Sequence, residues 1–150
     1  MRVRSRWQNK DKLRSISETT SALAFVIWRI AANAVLNLEN KDYQTETNEQ
    51  RVLTMVEFIA LLVHCVDRMA YTQMEQAARQ EMIASLASYL AGHYQDNMTD
   101  AKGPDNYKKT FVDRLNLRMQ DYAEFDFVDG SPDFAMRRLC GEYVTAVMGA

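Results

Sequence analysis

The pattern of apolar and polar positions predicts a bundle of helices around one central helix. Residues 52–66 form the most apolar stretch of the chain, in which only Thr54 and Glu57 are clearly polar and His64 is intermediate. A helix that is apolar on every side must be surrounded by protein or lipid. We therefore expect a helix over about residues 48–71 to be the centre of an all-α, single-domain bundle of about five helices.

Helical spacing of apolar residues places the other four helices around it. The first begins near Ser17 or Thr19 and ends at about Asn40. The central helix begins with Thr47 and Gln50, a Thr-x-x-Gln pattern that is typical of a capping box. The remaining helices are predicted over residues 73–95, from 104 to 122, and from the Ser131-Pro132 pair to about Met148.

The breaks and buried faces of the later helices are also predicted. Residues 96–104 contain several turn-forming residues and should form a loop between the third and fourth helices. Asp129-Gly130 should form a turn. Ser131 should cap the last helix, with Pro132 as its first residue. The expected inward positions are Tyr107, Phe111, Leu115 and Met119 in the fourth helix, and Phe134, Ala135, Leu139, Tyr143 and Val147 in the last.

Composition agrees with a folded helical protein. The chain is 47% hydrophobic and 25% charged, and it contains only five glycines and two prolines, which excludes a disordered chain and disfavours an all-β fold. Its two cysteines, Cys65 and Cys140, lie in apolar helical stretches. We expect both to be reduced thiols of the core, in a cytoplasmic protein.

The apolar run 22–36 raises the question of a membrane span. The run has fifteen residues and contains Arg29 and Asn33. Spanning a bilayer takes about 20 predominantly apolar residues. We therefore expect a buried helix here and no transmembrane segment.

Charge is distributed unevenly along the chain. Residues 1–14 carry six basic side chains and one acid, a net charge of +5, whereas the remainder carries 12 basic and 19 acidic side chains, a net charge of −7. We interpret residues 1–14 as a basic arm on a domain of residues 15–150. The side chains expected to act in this arm are Arg2, Arg4, Arg6, Trp7, Lys10, Lys12 and Arg14.

Three partners are conceivable for the basic arm. It could dock on the acidic segment 121–133 of its own or a second subunit, with Trp7 as an apolar anchor. It could instead bind an anionic membrane surface or a nucleic acid. Nucleic-acid binding is disfavoured because the acidic body would repel phosphates. Docking on the acidic segment is the preferred hypothesis.

A polar stripe on the central helix is the main candidate for a ligand site. At 100° per residue, Glu57, His64 and Arg68 lie within about 40° of one another. Arg29 and Asn33 form a similar polar edge on the first helix, and an Arg29–Glu57 ion pair would neutralise a buried charge. These five residues are candidate ligand-binding residues, although a solvent or subunit edge is the preferred explanation of the stripe.

The sequence offers little for catalysis or cofactor binding. The two histidines, His64 and His93, lie on different helices, and no spacing typical of a zinc or di-iron site is present. Cys65 follows His64 directly, so on a helix the two side chains point about 100° apart and cannot form a catalytic pair. Glycine-rich phosphate loops are absent. We expect no metal and no cofactor.

The functional hypothesis that follows is a non-enzymatic protein-interaction module acting as a homodimer. The first two helices are each apolar on nearly every side, which is more apolar surface than a five-helix monomer easily covers. The competing hypothesis is a small-ligand-binding protein or enzyme that uses the Glu57, His64 and Arg68 stripe. Binding of an anionic polymer or membrane surface through the arm is the third.

Overall fold

One helix contacts all four of the others. The structure is a computed structural model that describes residues 16–149, and in this range the chain forms five packed helices and one short hairpin. The elements are α1 (Ile16–Glu39), α2 (Asn48–Tyr71), α3 (Gln76–Lys102), α4 (Lys108–Ala123), β1 (Phe127–Val128), β2 (Ser131–Pro132) and α5 (Phe134–Met148). The predicted all-α bundle is confirmed. The arm residues Arg2, Arg4, Arg6, Trp7, Lys10, Lys12 and Arg14 lie outside the described residues.

Helix α2 is the central helix, as its apolar sequence predicts. It packs against α1, α3, α4 and α5, and no residue from Val52 to Arg68 is exposed. Its core residues Ile59, Ala60 and Val63 are completely buried. From Val52 to Arg68 the apolar surface of this helix is therefore covered within a single copy of the chain, and Met69 and Tyr71 in its last turn are exposed.

Helix α2 begins where the sequence predicts. The Thr47 hydroxyl accepts a hydrogen bond from the backbone N–H of Gln50 at 3.1 Å. The side chain of Gln50 accepts from the backbone N–H of Glu46 at 2.6 Å, one residue before the cap. The capping interaction therefore extends one residue further upstream than the Thr-x-x-Gln pattern alone indicates.

Helix α1 buries only one stripe of its surface. Thr20, Ala24, Ile27, Ala31 and Val35 are buried and recur at three- or four-residue spacing. Their small side chains let α1 pack closely on α2 and α3, and the Thr20 and Ser85 hydroxyls share a 2.6 Å hydrogen bond. By length and composition, α1 is the one helix between residues 16 and 149 that could cross a membrane, although its buried stripe belongs to the core of the bundle.

The predicted break over residues 96–104 is wrong for most of its length. Helix α3 continues to Lys102 because Met98 is buried in the core, while Asn97 and Thr99 bond the carbonyls of residues four positions earlier. The helix ends at Gly103, whose φ of 96° favours glycine. Helix α4 consequently starts at Lys108 rather than near residue 104.

The start of the last helix also differs from the prediction. Ser131 and Pro132 form strand β2, which pairs with β1 across the Asp129-Gly130 turn. Asp133 is the N-cap instead, and its carboxylate accepts from the N–H of Met136 at 2.7 Å. The inward face shifts with it, so Phe134 and Ala135 are exposed and the buried residues are Met136, Cys140 and Val144.

Candidate functional site

The polar stripe of α2 faces the interior of the bundle. Glu57 and His64 are each only 2% exposed, and Arg68 is half-buried. Each residue has different surroundings, and no hydrogen bond or ion pair joins the three to one another. The structure thus brings them to one face without forming a single site.

Glu57 is paired with an arginine of α4. Arg118 donates from Nε to Glu57 Oε1 at 2.7 Å and from Nη2 to Oε2 at 3.2 Å. Arg114 adds a longer ion pair, with Nη1 at 3.6 Å from Oε2. A two-point arrangement of this kind satisfies both carboxylate oxygens, as a buried charge requires. The pair fixes α4 against α2.

Two residues hold Arg118 from its other sides. Its Cζ lies 3.4 Å from the centroid of the Tyr143 ring on α5, and its Nη1 lies 3.5 Å from Asp121 Oδ2. The Tyr143 hydroxyl donates to the same Asp121 oxygen at 2.7 Å. Helices α2, α4 and α5 are therefore joined through one guanidinium group.

The expected Arg29–Glu57 ion pair is wrong. Both Arg29 and Asn33 are exposed on the outer side of α1. Arg29 lies over the ring of Phe25, its neighbour one turn earlier, at 5.7 Å from the centroid. The stripe of α1 that faces the bundle is made of small apolar residues and Thr20, which excludes Arg29 from the interior.

Arg68 closes the end of helix α4. Its Nη2 donates to the backbone carbonyls of Tyr122, Ala123 and Phe125 at 3.4, 3.2 and 2.6 Å. The last carbonyls of a helix lack partners within the helix and carry partial negative charge. The last turn of α4 contains no basic residue of its own, so Arg68 supplies this charge from α2.

His64 is the buried polar side chain of the stripe that lacks a partner. Neither of its ring nitrogens has a hydrogen bond among the described residues. Burial, reinforced by the nearby Arg68 and opposed by Asp67, lowers the pKa of His64 to about 4. The ring is therefore neutral at neutral pH, with one donor nitrogen and one acceptor nitrogen.

Tyr122 is the aromatic neighbour of His64. Their ring centroids are 5.7 Å apart, and the Tyr122 hydroxyl is buried beside the Cys140 thiol of α5. Burial raises the pKa of Tyr122 far above its ordinary value, so the phenol stays protonated. The two rings therefore pack against each other between α2 and α4, and His64 is left as the buried group of the pair whose nitrogens have no hydrogen-bond partner within residues 16–149.

Two neighbouring cavities lie between α2 and the helices around it, and His64 lines one of them. The larger, of about 690 Å³, lies between α2, α3 and α4 and is lined mainly by apolar side chains. The second, of about 510 Å³, is lined by His64, Arg68 and residues that follow α4. Asp67, Arg79 and Met119 line both cavities, so the two cavities are neighbours at this point.

Neither a metal centre nor a reactive thiol is indicated in the described part of the chain. Residues 16–149 contain no group of three or more His, Cys, Asp and Glu side chains suited to a metal ion. Burial raises the pKa of Cys140 to about 11, and burial also raises the pKa of Cys65. Both thiols are therefore protonated, poor nucleophiles at neutral pH.

Sequence reasoning missed Arg118, the central residue of the charge network. The buried positions of α4 are Phe111, Leu115, Arg118 and Tyr122, at spacings of four, three and four. The predicted stripe assumed a constant spacing of four residues and therefore contained Met119 in place of Arg118. The alternating spacing would have placed an arginine in the core and required an acid, such as Glu57, to face it.

Comparison with known proteins adds no assignment. Compared with protein-family models, with curated protein sequences and with solved structures, the chain matches none of them.

Proposed function

We propose that the protein is a non-enzymatic interaction module that forms a homodimer through the outer face of α1. The observation that carries this proposal is the exposed apolar surface of that helix. Phe25, Val26, Ile30 and Leu36 are between 47% and 55% exposed, on a helix whose opposite side is completely buried. Several exposed apolar side chains grouped on one face of a helix are typical of protein contact sites.

The arrangement of the face suits a partner helix. At 100° per residue, Ala22, Arg29 and Asn33 lie within about 40° of one another, opposite the buried stripe. Phe25 and Leu36 flank them on one side, and Val26 and Ile30 on the other. The face is therefore an apolar surface with a polar pair near its middle, and such polar pairs fix the register of packed helices.

The sequence of this face is self-complementary in an antiparallel arrangement. A twofold axis between positions 30 and 31 would set Phe25 of one copy opposite Leu36 of the other. The same axis would bring Arg29 close to Asn33 of the other copy, and Ile30 close to its own equivalent. Apolar groups would then meet apolar groups, and the guanidinium would meet an amide oxygen, as a twofold interface requires.

The dimer hypothesis now depends on α1 alone. The apolar pattern indicated two helices as sources of excess surface, but from Val52 to Arg68 the other helices of the same chain cover α2. Arg29 and Asn33 accordingly have a role at the interface in this proposal, rather than in a ligand site with Glu57.

Sedimentation of the full chain tests the proposal. We expect a dimer at micromolar concentration, and a monomer for the Val26→Lys and Ile30→Lys variants. Leu117→Lys is the matched control, because Leu117 on α4 is 49% exposed and lies away from α1. A wild-type monomer, or equal effects of all three substitutions, would contradict the proposal.

Disulfide cross-linking tests the antiparallel register. In a Cys65→Ser background, a mixture of Phe25→Cys and Leu36→Cys chains should form a cross-linked heterodimer on oxidation. Either chain alone should not, because its two equivalent cysteines would be about 16 Å apart along the helix. Self-linking of each single variant would indicate parallel helices. A monomer that binds lipid vesicles through α1 would instead favour a membrane-surface role.

A further inference from the structure

The groove between α2, α3 and α4 has the dimensions and lining of a small-molecule site. Its volume of about 690 Å³ is within the range of ligand pockets in proteins. Buried Val63, Ala91 and Leu115 contribute to its lining, together with half-buried Ile83 and Val112. Small side chains of α3 keep it open, namely Ala84, Ala87, Ser88 and Ala91.

A second, independent observation lies at one end of this groove. His64 is 2% exposed, lines the adjoining cavity and has no hydrogen-bond partner for either nitrogen among the described residues. Three residues line both this cavity and the groove, namely the ion-paired Asp67 and Arg79, and Met119. Because a methionine side chain is unbranched and flexible, its rotation would give a bound molecule access to the imidazole.

The charges at this end indicate a neutral ligand. Asp67 is paired with Arg79 at 3.4 Å, and Nη2 of Arg68 donates to backbone carbonyls at the end of α4. Glu124 and Asp126 also line this cavity and would repel an anion. The neutral imidazole itself offers one donor and one acceptor, which match a hydroxyl or an amide.

We propose that this groove binds a small, neutral, amphipathic molecule, with its apolar body against α3 and α4 and its hydroxyl or amide group hydrogen-bonded to His64. This binding activity goes beyond the proposed dimer, since it involves α2, α3 and α4 rather than the outer face of α1. The ligand class is that of a medium-length alcohol or amide, as opposed to a fatty-acid anion.

Fluorescence titration with N-phenyl-1-naphthylamine, a neutral apolar dye with a single N–H, tests the groove. We expect saturable binding to the full chain and at least tenfold weaker binding to the Ala84→Trp variant, whose indole fills the groove. Ala77→Trp is the matched control, because Ala77 is exposed on the same helix two turns earlier and does not line the groove. Equal dye binding by the two variants would overturn the proposal.

Competition against the dye tests the class of ligand. We expect 1-octanol to displace the dye at a lower concentration than either octanoate or heptyl methyl ether, which lacks the hydroxyl. One hydrogen bond of about 1.4 kcal/mol corresponds to a tenfold preference. Octanoate that competes as well as octanol would overturn the proposed neutral ligand.

A His64→Phe variant separates the role of the imidazole from that of the groove. We expect it to bind the dye but to lose the preference for octanol over the ether. Because this substitution preserves an aromatic ring in the core, its folding can be checked by its melting curve. A preference that persists in the folded variant would overturn the role of His64 and indicate that the histidine is only a buried side chain.

Discussion

Glu57 on α2 and Arg118 on α4 are 61 residues apart in sequence and share two hydrogen bonds in the interior of the bundle. Replacing Glu57 with Gln should leave the guanidinium without its buried counter-charge. Breaking a buried ion pair in this way typically costs about 3–5 kcal/mol. We therefore expect Glu57→Gln to lower the free energy of unfolding by several kcal/mol, measured by urea denaturation.

The double variant Glu57→Leu/Arg118→Met distinguishes pairing from packing. We expect it to be more stable than either single replacement, since it removes both charges together. The exposed pair of Lys109 and Asp113 serves as the control, and its removal should change stability little. Additive losses in the double variant would mean that the two side chains do not act as a pair.

His64 should make stability dependent on pH in a defined window. Its pKa of about 4 in the folded protein lies below the ordinary value of 6.5, so the unfolded chain binds the proton more readily. Stability should consequently fall as the pH drops from about 6.5 to about 4, by at most about 3 kcal/mol.

The contribution of His64 is measured as a difference between variants. The stability of His64→Phe relative to the wild type should rise as the pH is lowered through this window, which cancels the effects of other titrating groups. His93→Gln is the control because it changes the other histidine of the chain. A relative stability of His64→Phe that stays constant with pH would show that His64 does not titrate as its burial requires.

Arg68 should be essential for the end of helix α4. Removing its three hydrogen bonds to backbone carbonyls in an Arg68→Met variant should destabilise the fold by about 2 kcal/mol. Hydrogen exchange should accelerate near residues 119–125 before other parts of the chain. Arg51→Met is the control, because Arg51 pairs with Glu39 at the surface, and an equal effect there would contradict a specific capping role.

The docking of the basic arm on the acidic segment 121–133 is a prediction from the opposite charges of the two segments. Of the five acids between Asp121 and Asp133, Asp121 accepts from Tyr143 and Asp133 caps α5, while Glu124, Asp126 and Asp129 are exposed. Deleting residues 1–14 should alter stability or oligomerisation modestly, and less at high salt. Salt-sensitive duplex binding that disappears with the arm would favour nucleic acid instead.

Local sequence patterns correctly predicted helix starts and turns where the residues that determine them are close together in sequence. Thr47 and Gln50 correctly placed the start of α2, and Asp129-Gly130 correctly placed a turn, since both residues have positive φ. The end of α3 was wrong because tertiary contacts of Met98 outweigh the turn-forming tendency of its neighbours. Ser131 and Pro132 are residue types that often start a helix, but here they form a strand that pairs with Phe127 and Val128.

The candidate site was predictable only in part. The polar stripe of α2 did indicate which side chains face a neighbour, because Glu57 and His64 are unusual in an apolar helix. Their partners belong to α4, and helical periodicity alone does not say which helix lies opposite. The choice of Arg29 for Glu57 followed from its polar position on α1, whereas the structure orients that position outwards.

The contact between Arg68 and the α4 end also constrains the order of folding. The carbonyls of Tyr122, Ala123 and Phe125 have a partner that is 54 to 57 residues away in the chain. We therefore expect the final turn of α4 to reach its full stability after α2 has docked, whereas α2 begins with its own local cap. In a helical bundle whose hydrogen bonds are otherwise mostly local, this non-local contact predicts that α4 is completed late in folding.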